Sequence, residues 1–149
     1  KTKLLENERY DDVVTDVGDY FRLQLAELSQ VAGAVDATIV DPGVDLAKTP
    51  AQSLELLRRA EEFDELGVPV LMAISRKDVI GVMTQSPPDE RLAGTLAALG
   101  HLRRGGRRIF RLHDVAEARR YLMVTRHLDG FESLAPDARL AAELRRRRA

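Results

Sequence analysis

The sequence predicts an α/β chain built on a parallel sheet, and three observations predict it. Short strand-like runs, apolar at residues 37–40 and 68–74 and alternating at 107–113, each end in polar residues and each give way to a helical pattern. The run at 68–74 is continuously apolar, as in a parallel strand covered on both faces. The spacing is regular: Asp41 and Ser75 stand 34 residues apart, and so do Lys77 and Arg111. Strand, polar turn and helix, repeated three times after a leading helix, specify parallel pairing with right-handed crossovers.

Each element has its own local signal. Val13, Val17, Tyr20, Phe21, Leu25, Leu28 and Val31 fall on one stripe of an amphipathic helix over residues 11–32, ended by Gly33. The strand at 37–40 is halted by Asp41-Pro42-Gly43. Thr49-Pro50-Ala51-Gln52 has the form of a helix start, with Thr49 as N-cap and Gln52 reaching back. Leu54, Leu57 and Leu66 continue that helix to Gly67. After the strand at 68–74 come Ser75-Arg76-Lys77-Asp78, a loop over 81–86, and a helix predicted to begin at Ser86-Pro87 and to carry Leu92, Leu96 and Leu99. In the third strand, Ile109, Arg111 and His113 share one face, and Phe110 and Leu112 share the other. Asp114 and Glu117 are expected to box the start of a last helix carrying Val115, Leu122 and Val124 before Gly130. Residues 137–149 read as a basic helical tail with a solvated end at Arg145–Arg148.

The composition bounds the function. A length of 149 residues suits one domain, and 44% hydrophobic, 32% charged and 5% aromatic residues describe a globular chain. The 23 basic and 24 acidic side chains nearly cancel, so no overall field favours nucleic acid or anionic lipid, and neither partner is expected. Without cysteine, disulfides, thiolate catalysis and Cys-based metal sites are excluded. His101, His113 and His127 lack metal-ligand spacing, so no protein-held metal site is expected; His101 and His127 read as helix surface residues. No apolar run approaches the ~20 residues that span a bilayer, so a cytoplasmic location is expected. The first residue is Lys1 rather than Met, which suggests a piece of something longer. Three strands cannot close into a barrel, and their open edges ask for more sheet. The expected fold is therefore the last three βα units of a (β/α)₈ TIM barrel, with residues 1–149 forming part of one barrel domain. A small free-standing α/β domain is the competing account.

All three strands end, at their carboxyl ends, in residues with chemical potential: Asp41, then Ser75-Arg76-Lys77, then Arg111 and His113. That edge of a parallel sheet is where ligands bind. Asp41 can accept hydrogen bonds from amino and ring N–H groups of a polar heterocycle, and the cations can meet phosphate oxygens or a π face. Plainer readings stand beside these: Asp41 as a turn former, Lys77 as an exposed loop cation, and Arg111 as half of an internal salt bridge to Asp41. Ser75 has no G-x-S-x-G elbow around it and is not read as a hydrolase nucleophile.

At these residues the sequence resembles the C-terminal part of dihydropteroate synthase, the pterin-binding TIM barrel of folate synthesis. Four segments match in order: Asp41-Pro42-Gly43 with Lys48-Thr49; Ser75-Arg76-Lys77; Glu90-Arg91-Leu92-Ala93-Gly94-Thr95-Leu96-Ala97-Ala98; and Arg111-Leu112-His113-Asp114-Val115. The resemblance implies condensation of 6-hydroxymethyl-7,8-dihydropterin pyrophosphate with p-aminobenzoate, giving 7,8-dihydropteroate and pyrophosphate with Mg²⁺ assistance. It implies that Asp41 binds the pterin's amino and N–H groups. Lys77 would lie along the pterin toward the second substrate, Arg111 would stack on the ring, and Arg111 and His113 would hold the pyrophosphate. Asp41, Ser75, Lys77, Arg111 and His113 are thus the expected substrate-binding set, and Lys77, Arg111 and His113 the expected catalytic set. A homodimer is also implied.

Where the family usually reads DPGIGFGK, this chain has Asp45 for a glycine and Leu46 for the aromatic beside p-aminobenzoate. Asp78 follows the Ser75-Arg76-Lys77 triplet in place of the usual Ser or Arg. Leu46 and Asp78 therefore mark an altered second-substrate pocket, where added carboxylates repel a carboxylate substrate. In this the chain looks like the divergent synthase-like paralogue of actinobacteria. The alternatives are a non-catalytic or differently specific pterin-binding paralogue and a methyltetrahydrofolate-binding methyltransferase relative.

Overall fold

A computed structural model describes residues 10–145. Helix α1 (Val13–Leu28) begins at Asp12, whose Oδ1 accepts from the amides of Val14 and Thr15 at 3.0 and 2.9 Å. Val13, Val17, Phe21 and Leu25 recur every fourth residue and are buried or packed against the core, whereas Tyr20, Leu28 and Val31 are exposed. The helix stops four residues short of the predicted end, and Gly33, at φ +74°, lies within the turns that follow. Those turns absorb part of the predicted first strand. Ala37 and Thr38 donate their amides to the carbonyls of Gly33 and Val35, and only Val40 makes a β-bridge.

Helix α2 (Pro50–Arg58) starts as the sequence predicts: Thr49 and Gln52 exchange side-chain and backbone hydrogen bonds in a capping box. At Arg59 the chain tightens into a 3₁₀ segment, Ala60–Leu66, which ends on Gly67 at φ +73°. Strand β1 (Val70–Met72) follows. Helix α3 (Asp78–Thr84) occupies much of the region expected to be a loop. Next comes helix α4 (Leu92–Leu102), reached through a 3₁₀ turn at Pro88–Glu90, so it begins later than the predicted Ser86. Strand β2 (Arg108–Phe110) and helix α5 (Val115–Leu128) complete the third unit. Asp114 does not box α5, because its carboxylate is taken by Arg76. The expected tail helix is reduced to one 3₁₀ turn at Ala142–Leu144, and its residues 146–149 lie outside the described residues.

Among the described residues, β1 and β2 pair in parallel, Val70 with Arg108 through Met72 with Phe110. Val40 bridges β1 from the other side, accepting from the Leu71 amide at 2.7 Å. The spatial order is thus Val40, β1, β2, with the three chain ends side by side. Val70, Met72 and Ile74 are fully buried against Leu56, Phe63, Ile80 and Leu99. Each such side chain contributes ~1.5–3 kcal/mol. Phe21 meets Phe63 edge to face at 6.4 Å, tying α1 to the 3₁₀ segment. Phe110 and Leu112 pack against this core, while Ile109, Arg111 and His113 are exposed on the opposite face, as the alternation predicts.

The start of α1 is also held by charge, since Asp12 Oδ2 accepts from Arg59 Nη1 at 2.6 Å. The Thr15 amide and then the Arg59 guanidinium lower the Asp12 carboxyl from 3.8 to about 2. A depressed folded-state pKa stabilises the protein above the ordinary carboxylate value and loses that effect as the pH falls through the lower one. Asp12→Ala is predicted to lower the melting temperature at neutral pH, with the gap from wild type closing as the pH falls toward 2 in a series of thermal melts. A gap independent of pH would show that the carboxylate's charge is not what holds the helix.

Candidate functional site

The polar residues at the three strand ends lie along one edge of the sheet. Asp41 immediately follows the Val40 bridge, Ser75 and Lys77 follow β1, and Arg111 and His113 follow β2. Ser75, Lys77, Arg111 and His113 line one cleft of about 470 Å³, together with Ala73 and Leu112. Asp41 and Leu46 line a separate cleft of about 510 Å³ with Tyr20, Phe21 and Lys48. Asp78 lines neither of these two clefts.

Ser75 is buried, and its Oγ accepts the His113 backbone amide at 3.1 Å and contacts His113 Nδ1 at the same distance. A Ser75 hydroxyl donated to Nδ1 leaves the proton of a neutral ring on Nε2, where it can be offered to an anionic oxygen. Lys77 is half-buried rather than a free loop cation. Its Nζ donates to the Val44 carbonyl at 2.8 Å, joining the loop after β1 to the loop after Val40. An ammonium has three donors, so that bond leaves two for a ligand. Arg111 makes no internal ion pair with Asp41; among the described residues its exposed guanidinium takes no acidic partner.

Asp41 satisfies the turn reading and keeps capacity for the ligand reading. Its Oδ1 accepts the Gly43 amide at 2.9 Å, and Gly43 turns there at φ +72°. The second oxygen takes no protein donor among the described residues, and Asp41 is exposed on its cleft. Beyond Gly43 the loop is strained. Asp45 and Ala47 sit at φ +59° and +50°, a region that favours glycine, and the family pattern DPGIGFGK has glycine at both positions. Asp45 Oδ2 accepts from the amides of Asp78 and Val79 at 2.5 and 3.3 Å, so it caps α3 from 33 residues away.

The second added carboxylate, Asp78, accepts from Arg91 Nη1 at 2.9 Å. Both Asp45 and Asp78 are therefore held by donors of this chain. The sequence reading missed Arg91's role, although Arg91 stands inside one of the four matching segments. Its side chain is largely buried, and Nη1 also donates to the carbonyls of Arg76 and Lys77 at 3.0 and 3.3 Å. Gly81 makes room for it, since a Cβ there would stand 2.2 Å from the guanidinium. Thr95, in the same segment, accepts the Arg76 amide at 3.0 Å and donates to the Arg91 carbonyl. Arg76 itself lies at φ +55° and donates Nε and Nη2 to the two oxygens of Asp114 at 3.0 and 2.6 Å. This fork raises the Arg76 pKa and lowers that of Asp114.

These residues do not fit a resident magnesium ion. No group of three or more His, Asp or Glu side chains among the described residues is placed to hold a metal. No helix among them is long and apolar enough to cross a membrane.

The strain at Ala47 gives a stability test. Ala47→Gly removes a left-handed alanine at the cost of added freedom in the unfolded chain, and is expected to stabilise by roughly 0.5–1 kcal/mol. Urea unfolding of the two forms measures this, and a destabilised glycine variant would contradict the strain assignment.

Comparison with known proteins assigns the family. Residues 1–113 match the family described as pterin binding enzyme. Dihydropteroate synthase of Escherichia coli strain K12 is 38% identical over 112 residues, covering 75% of this chain and 40% of the relative. Inactive dihydropteroate synthase 2 of Mycobacterium tuberculosis strain H37Rv is 41% identical over 106 residues, covering 70% of this chain and 33% of the relative. The structure of dihydropteroate synthase from Xanthomonas albilineans in complex with 7,8-dihydropteroate superposes with a TM-score of 0.72 at 35% identity, covering 82% of this chain and 47% of that one. The chain thus spans less than half the length of these relatives, and its three parallel units are a portion of their TIM barrel. It belongs to the pterin binding enzyme family, among the dihydropteroate synthases and their inactive paralogues.

Proposed function

We propose that this chain supplies the substrate-binding strand ends of a dihydropteroate synthase-like transferase acting on 6-hydroxymethyl-7,8-dihydropterin pyrophosphate. The observation that carries the reading is the single cleft lined by Ser75, Lys77, Arg111 and His113. Two cationic side chains and a histidine converge there, on a family background that binds pterins. In this reading the free oxygen of Asp41 accepts from the pterin's amino and N–H groups. Arg111 covers the ring and, with His113, takes the diphosphate oxygens. Lys77 spans the space between ring and second substrate.

The chemistry follows from where charge develops. The bond between the pterin's methylene carbon and the diphosphate oxygen breaks, and its electron pair leaves with the diphosphate. The carbon, cationic through the pterin ring, is attacked by the amine of p-aminobenzoate, which then loses a proton. Donors fixed before the reaction at the departing oxygens lower the barrier most, and Lys77, Arg111 and His113 are such donors. Magnesium, implied by the resemblance, would arrive on the diphosphate rather than on these residues. A homodimer, implied by the resemblance, and the cytoplasmic location expected from the sequence complete the reading.

A second reading, a pterin-binding paralogue without synthase turnover, is favoured by one specific observation. Asp45 lays its own carboxylate on the amides that open α3, and with Asp78 it adds negative charge beside Lys77. A carboxylate-bearing second substrate meets like charge there.

Pyrophosphate release by the intact protein, supplied with the pterin pyrophosphate, magnesium and p-aminobenzoate, decides between the two. A synthase releases pyrophosphate only with p-aminobenzoate present, and Lys77→Ala slows it ~100-fold or more, as loss of one preorganised donor does. Retained pterin binding with no release identifies the paralogue. If only the second-substrate pocket has diverged, Asp78→Ser with Leu46→Phe raises turnover with p-aminobenzoate. Unchanged turnover in that double variant, with pterin binding intact, would refute a change confined to the pocket.

A further inference from the structure

Four of the proposed ligand-binding groups are not held by the strands alone. Ser75 and Lys77 flank Arg76, and Arg111 and His113 precede Asp114, so two loops 38 residues apart in sequence meet through the Arg76–Asp114 fork. The fork is bidentate and partly shielded, with side-chain exposures of 32% for Arg76 and 18% for Asp114. Arg76 adopts a left-handed backbone, at φ +55°, that a non-glycine residue keeps only when its surroundings hold it there. Those surroundings are specific: Thr95 Oγ1 accepts its amide, Arg91 Nη1 donates to its carbonyl, and Asp114 takes its guanidinium. Reversing direction at Arg76 lets Ser75 remain buried under His113 while Lys77 reaches across to the Val44 carbonyl. Asp114 follows His113 directly, so the same fork fixes the loop that presents the imidazole.

We infer that Arg76 and Asp114 are a positioning pair that holds Lys77 and His113 in register for one anionic ligand, without touching that ligand themselves. The inference rests on the reading of the Ser75–His113 cleft as the diphosphate site. Arg76 is the one cation of the Ser75-Arg76-Lys77 triplet whose guanidinium is committed to a carboxylate; Lys77 keeps spare donors, and Arg111 has no acidic partner among the described residues. A pair that acts in this way matters more to the diphosphate end of the ligand than to the Asp41 end, which lines a separate cleft and is reached only through the Lys77–Val44 bond.

The experiment measures binding of inorganic pyrophosphate, and separately of the pterin lacking its diphosphate, to the intact protein by calorimetry. Arg76→Asn is chosen because asparagine tolerates the left-handed backbone while removing the fork. Asp114→Asn removes the charge at the other end, and Arg76→Lys keeps a cation without the bidentate geometry. Each asparagine variant is expected to weaken pyrophosphate binding roughly 10-fold, and the double variant no more than either alone, as for two residues acting through one interaction. Arg76→Lys is expected to fall between wild type and Arg76→Asn. Binding of the diphosphate-free pterin, which keeps its contact with Asp41, is expected to fall by clearly less than that of pyrophosphate in every variant. Wild-type pyrophosphate affinity in folded Asp114→Asn or Arg76→Lys protein would overturn the inference while leaving the anion-site reading intact. Additive losses in the double variant, or equal losses for both ligands, would overturn it too, the first by showing separate direct contacts and the second a general role in folding. A wild-type protein that binds the diphosphate-free pterin but no pyrophosphate would overturn the anion-site reading itself, and this inference with it.

Discussion

The parallel pairing of Val70–Met72 with Arg108–Phe110 is the constraint on which the candidate site depends. Parallel neighbours end on the same side, so the residues that follow them are delivered together whatever the helices between them do. The register is secured by burial: Val70 and Met72 are fully enclosed, and a shift of one residue would turn them out of the core. Ser75 is buried beneath His113 only because Met72 lies opposite Phe110 and the chain continues three residues further on each side. The same pairing brings the Arg76 guanidinium to Asp114 across 38 residues of sequence.

Around that frame, the loop ends are organised by arginine in two distinct capacities. Arg91 is sunk among backbone carbonyls, where a guanidinium replaces water for several acceptors at once. Arg76 spends its donors on a single carboxylate. Arg111 does neither: its exposed guanidinium has no acidic partner among the described residues and lines the cleft with Lys77 and His113. The acidic residues sort in the same way: Asp45, Asp78 and Asp114 are all engaged by this chain's donors, while Asp41 keeps one oxygen without a protein donor among the described residues.

The sequence made most of the scaffold legible because hydrophobic periodicity and capping are local. The Thr49–Gln52 box, the enclosed strand through Met72 and the alternation at Phe110 and Leu112 each follow from residues within a few positions of one another. Helix α3 escaped because it is seven residues long and its cap, Asp45, comes from another loop. Asp114 misled for a related reason. Next to Glu117 it looks like a helix box, but a guanidinium offering two charge-assisted bonds outcompetes a backbone amide offering one. At the site, Ser75, Lys77, Arg111 and His113, which line one cleft, were legible as polar endings to their strands. The supports Arg76, Thr95 and Arg91 were present in the matching segments but had no role that spacing could assign, since their partners are set by tertiary contact.

The sheet of the described residues has two unlike edges, the Val40 segment on one side and Arg108–Phe110 on the other. Joined to each other, unlike edges meet head to tail, front of one sheet to back of the next. In a closed barrel such a succession returns to its start after eight strands and leaves no edge. Outside that closure both edges stay open, to pairing head to tail or with a second copy across a two-fold axis. Ring closure therefore does more than enclose a site: it removes the open edges through which such units would otherwise associate.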